Sequence, residues 1–147
     1  MLIAVISALA SASRAGEEIP VYPLGLDLSS ETTSEGVASL LREEGWDVST
    51  AEDSLSLSAE RTGATLTMSW LDATYLRDVT YTEPWDDAWN CKERFAEWVE
   101  WFRFINGKPM VDTETFHYWN IPGMEVWFEI TETGGGAATL TCSITFL

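Results

Sequence analysis

The sequence predicts a single α+β domain, an antiparallel sheet packed against two principal helices with a short helix at the start. Three observations point there. Leu55 and Leu57, then Leu66, Met68 and Trp70, alternate with Ser and Thr; Met124, Val126, Phe128 and Ile130 alternate with Glu125, Trp127, Glu129 and Thr131, and Ala138 to Phe146 with Thr and Ser, the period of a half-buried strand. Cys91, Phe95, Trp98, Phe102 and Ile105 recur at spacings of three and four, the period of an amphipathic helix. The chain has 147 residues, 46% of them hydrophobic, which suits one core and one domain over 1–147.

The elements follow in chain order. Residues 1–15 are expected to form an apolar helix with Leu2, Val5, Ile6 and Leu9 on one face and Ala and Ser on the other. Ala10-Ser11-Ala12 also resembles a signal-peptide cleavage site, but no Lys or Arg precedes the apolar run, so the helix is preferred over secretion. Pro20, Pro23 and Gly25 make residues 17–30 an extended connector or edge strand. Thr32-Thr33-Ser34-Glu35 reads as a capping box opening a helix over 33–45, with Val37, Leu40 and Leu41 on one side and Gly45 as its stop.

Strands are expected over 46–82. Trp46 and Val48 begin the first, and Arg61-Thr62-Gly63-Ala64 turns a hairpin between the two alternating runs that follow. The next strand would place Tyr75, Arg77, Val79 and Tyr81 on one face and Leu76, Asp78 and Thr80 on the other. A helix over 84–106 starts with Pro84 in its first turn, carries Asp86 and Asp87 at its N-terminal end and closes at Asn106-Gly107. Residues 111–147 return to strands: Val111–Trp119, then a hairpin in which Gly134-Gly135-Gly136 turns between Met124–Thr131 and Ala138–Phe146.

Charge excludes several partners. Eight Lys and Arg against 24 Asp and Glu give −16, which repels nucleic-acid phosphates and anionic lipid. No run approaches the ~20 apolar residues that span a bilayer. Lysine is scarce (Lys92 and Lys108 alone) and the acids are scattered, a composition like that of proteins adapted to molar salt, where charge repulsion is screened within a few Å.

Chemistry-bearing patterns are missing. His117 stands alone in a strand, and no Cys-x-x-Cys, His-Glu-x-x-His, P-loop, Gly-x-Gly-x-x-Gly or calcium-loop pattern occurs. Cys91 and Cys142 fall on core-facing positions, as small hydrophobes or as one disulfide. Asp72, Asp78, Asp86 and Asp87 are near one another in sequence, but a solvated face and a helix N-terminus explain them. The expectation is a protein that is not an enzyme and carries no cofactor and no metal.

Tryptophan is the unusual feature, with eight in the chain. Trp101 and Phe104 fall at the edge of their helix beside Glu97, Glu100 and Arg103, and Trp127 faces away from the Val126/Phe128 stripe. Large aromatics within a polar rim mark an interaction patch, so Trp101, Phe104 and Trp127, with Leu2 and Ile6 of the first helix, are the interface candidates.

The order of apolar helix, connector, strands, long amphipathic helix and closing hairpin, ending in Thr-Cys-Ser-Ile-Thr-Phe-Leu, resembles small neck and tail-completion (tail terminator) proteins of tailed viruses. The Thr32–Gly45 helix is an addition to that pattern, and the resemblance carries over no functional residue. It implies a structural protein assembling through protein–protein contacts, as a homo-oligomer or with neighbouring assembly proteins, in a virion or the cytoplasm. The rival is an acidic immunity protein or nucleic-acid mimic that blocks a basic enzyme. Charge placement separates them: an inhibitor gathers its carboxylates on one face, whereas an assembly protein spreads them and reserves an apolar patch.

Overall fold

A computed structural model describes residues 19–21 and 26–147, with side chains from Leu28 onward. The helix expected over 1–15, and with it Leu2 and Ile6, lies outside the described residues. Ile19–Val21 (β1) and Leu26–Leu28 (β2) pair antiparallel as a small separate ribbon. The remaining strands form one eight-stranded antiparallel sheet: Asp47–Thr50 (β3), Ser56–Arg61 (β4), Ala64–Asp72 (β5), Tyr75–Trp85 (β6), Val111–Asp112 (β7), Phe116–Ile121 (β8), Met124–Gly134 (β9) and Ala137–Phe146 (β10). Their spatial order is β3-β4-β5-β6-β10-β9-β8-β7, so β3 and β7 are the free edges. Helices α1 (Ser34–Glu43) and α2 (Ala88–Asn106) complete the α+β fold.

Period-two alternation sets the sheet. Leu66 and Met68 of β5, Val126 and Phe128 of β9, and Leu140, Cys142 and Ile144 of β10 point inward and are buried. Alternate residues carry hydroxyls on the opposite face, where register aligns Ser143, Thr80, Thr67 and Ser58 across four strands. The Thr65 and Thr82 hydroxyls are hydrogen-bonded there, and Asp78 accepts from Thr145 Oγ1 at 2.8 Å. Helix α2 lies on the apolar side, against β9, β10, β6 and β8. Its Trp98 and Phe102 meet Phe128 edge-to-face at centroid distances of 5.9 and 5.3 Å, the geometry aromatic quadrupoles prefer.

Local chemistry places the boundaries, and several differ from expectation. Thr33 rather than Thr32 caps α1, accepting from the Gly36 amide at 3.2 Å, while Thr32 Oγ1 accepts from the Ser29 amide. Pro84 is not in a helix: it ends β6, beyond the Thr82–Thr65 pair that starts the register with β5, where its missing N–H costs no ladder bond. Asp87 is the N-cap of α2, its Oδ1 accepting from the Trp89 amide at 2.9 Å. The β5–β6 register jumps at Arg77 and Leu71, so Leu76 turns inward and Arg77 does not share the face of Val79 and Tyr81. The segment expected as one strand from Val111 is two, broken at Thr113, whose hydroxyl accepts from the Phe116 amide at 3.0 Å.

Candidate functional site

At its C-terminal end α2 is tied to the sheet edge. Gly107 takes φ +79°, which a side chain would resist, and its carbonyl accepts from Trp119 Nε1 at 2.9 Å. Arg103 Nη2 donates to both carboxylate oxygens of Asp112 at 3.0 and 3.1 Å, closing the loop between helix and β7. The pinned loop presents apolar side chains to water. Phe104 is 79% exposed and Met110 70%, and Val111 is exposed as well. Val111 belongs to β7, the edge strand that pairs with no further strand among the described residues.

Asp112 also faces inward. Its Oδ1 lies 2.8 Å from His117 Nδ1. The ring N–H is not aimed along that line, so the contact is electrostatic rather than a full hydrogen bond. Burial pushes the imidazole below its ordinary value, and Asp112 opposes that only in part. Nδ1 is sequestered while the side chain as a whole keeps 10% exposure.

His117 lines a cleft of about 780 Å³ between α2 and β8–β9. Phe95, Val99 and Ile130 make its apolar floor, and Glu100, Glu114 and Glu132 stand at its rim with Lys92. Lys92 Nζ pairs with Glu132 at 3.1 Å and bridges helix to strand at one end. Across the sheet, Glu83 ties α2 to β6: it accepts from Tyr81 Oη at 2.8 Å and Trp85 Nε1 at 3.0 Å and lies 3.6 Å from Arg94 Nε. Burial, first, and the Glu83 carboxylate, second, push the Tyr81 phenol up, so Tyr81 acts as a neutral donor in a structural tie.

The interface candidates separate. Phe104 is exposed as expected. Trp101 is not: it retains 8% exposure and belongs to the core. Residues 91, 95, 98, 99, 101 and 102 all bury, so α2 is covered over more of its circumference than a narrow stripe. Trp127 is half-buried on the hydroxyl face, stacked on Phe116 at 5.9 Å and paired in register with Tyr118 and Ser143. Met110 and Val111 went unmarked in the sequence because apolar residues after a Pro in a helix–strand link look like the start of a buried strand. Trp89, 70% exposed, follows the α2 N-cap and was likewise unmarked.

Both cysteines are free and buried. Burial raises both thiols, Cys91 to about 11, which makes them inert as nucleophiles at neutral pH. Among the described residues no group of three or more His, Cys, Asp or Glu is placed to hold a metal ion, and no helix is long and apolar enough to cross a membrane. No protein family, curated protein or solved structure matches the chain.

Proposed function

We propose that this protein is a non-enzymatic assembly component that works through protein–protein contacts, as a joint in a larger particle such as the neck or tail of a virion. One observation carries the reading: Val111 stands exposed on the unpaired edge strand β7, Met110 before it and Phe104 near the end of α2 are exposed as well, and the Arg103–Asp112 pair ties that helix end to β7. Exposed apolar side chains beside an unpaired strand are the two ingredients of edge-to-edge association. Charge placement supports the same reading over the inhibitor. The carboxylates spread over α1 (Glu35, Glu43), the β3–β4 loop (Glu52, Asp53), α2 (Glu93, Glu97, Glu100) and the hydroxyl face (Glu125, Glu129), rather than gathering on one side.

Hydrogen exchange at two protein concentrations tests it. The amides of Val111 and Asp112 gain protection as concentration rises, while those of β4 at the centre of the other half stay constant. Exchange at β7 that ignores concentration, and ignores every added assembly partner, contradicts the reading.

A further inference from the structure

We propose that the cleft between α2 and β8–β9 is a docking groove for a basic segment of a partner protein, with an apolar side chain on the floor and flanking cations on the rim. This rests on the reading that the protein works by protein contact, and it names the chemistry of one partner.

Shape comes first. Lys92, Phe95, Ala96, Val99 and Glu100 line the cleft along two turns of α2, so the groove runs about 12 Å along the helix at 1.5 Å per residue. A volume of about 780 Å³ lies within the range of sites that enclose a ligand. The floor of Phe95, Val99 and Ile130 offers an entering side chain only carbon to touch.

Charge then selects the occupant. Three carboxylates, Glu100, Glu114 and Glu132, face one ammonium, Lys92, which is already engaged with Glu132 at 3.1 Å. Glu100 and Glu114 stand at the rim without a neighbouring cation among the cleft residues. His117 also lines the cleft, and because burial lowers its pKa the ring adds no positive charge there at neutral pH. Three carboxylates against one ammonium that is already paired favour a cationic occupant. The chain's own eight Lys and Arg are scattered among 24 acids and form no basic run that could fill this rim, so the occupant is a different, basic protein.

The test uses the full chain and a fluorescent peptide, Lys-Arg-Trp-Leu-Arg-Lys, titrated by anisotropy in about 0.15 M KCl, with circular dichroism confirming the fold. Lys-Arg-Ser-Ser-Arg-Lys and Glu-Glu-Trp-Leu-Glu-Glu serve as controls. Ala96 is exposed and lines the cleft, so Ala96→Trp fills the groove from outside the core; the double variant Glu100→Lys/Glu114→Lys reverses the rim. Saturable binding of the basic Trp-Leu peptide, weakened about tenfold or more by each variant and by loss of either the apolar or the basic residues, is the expected result. No saturation, equal binding of the Ser-Ser peptide, or an affinity that Ala96→Trp leaves unchanged overturns the groove. Sedimentation of Ala96→Trp separates the two readings: assembly at the β7 corner persists in this variant whether or not the groove binds.

Discussion

Arg103 and Asp112 are nine positions apart in sequence and in direct contact in space, one guanidinium nitrogen reaching both carboxylate oxygens at 3.0 and 3.1 Å. The same carboxylate approaches His117 on its other side, so one acid joins the exposed corner to the wall of the cleft. The pair is 45% and 34% exposed, and water screens most of its Coulomb energy. Its role is positional. Asp112→Asn is expected to cost under about 1 kcal/mol in a thermal melt yet to loosen the loop, read as faster amide exchange at Met110 and Val111. A melt that drops by several kcal/mol would show a fold-stabilising pair instead.

Phe104→Ser and Met110→Ser remove side chains that contribute little to the folded chain. Stability stays within about 0.5 kcal/mol of the parent, the range for surface substitutions, while self-association weakens. Chemical denaturation and sedimentation on the same samples check both halves of this expectation.

Tryptophans divide by position. Trp98, fully buried, and Trp101 are both core residues, so Trp98→Ala and Trp101→Ala each cost ~3–5 kcal/mol in urea denaturation. Trp127 is half-buried beside Phe116, and Trp127→Ala costs roughly 1 kcal/mol. A near-neutral Trp101→Ala would return that residue to the surface.

His117 gives a pH signature. Its folded value lies below the ordinary 6.5, chiefly because burial disfavours the cation. The unfolded chain therefore takes up the proton first as pH falls. The contribution is complete above 6.5 and is lost as pH falls through the lower folded value. His117→Gln should flatten that part of the curve of stability against pH; an unchanged slope would mean His117 titrates as though exposed.

Much of this fold is legible because its patterns are local. The β9–β10 hairpin follows from strict alternation around three glycines, and the α2 core stripe from spacings of three and four. What the sequence hid depends on distant neighbours. Pro84 looks like a helix opener, and only the register with β5 and β10 makes it a strand end. The bulge at Arg77 reverses a face that simple alternation assigns to Leu76. Trp101 lies beside charged residues in sequence, yet only 8% of it stays exposed in the fold. The cleft joins α2 to β8–β9, a juxtaposition created by the crossover and invisible to any window along the chain.

Salt should act through the 16 uncompensated negative charges. Raising KCl from ~0.1 M to ~3 M shortens the Debye length from ~10 Å to a few Å, so the melting temperature rises as self-repulsion is screened. An unchanged melting temperature would count against adaptation to molar salt.

Mass by light scattering over that same salt range, for the parent chain and the Phe104→Ser/Met110→Ser double variant, tests the assembly reading most directly. The parent is expected to grow to a multiple of its 16.4 kDa mass as repulsion is screened, and the double variant, equally folded by circular dichroism, to stay monomeric. A parent that remains monomeric throughout, or a double variant that assembles as well as the parent, contradicts that reading.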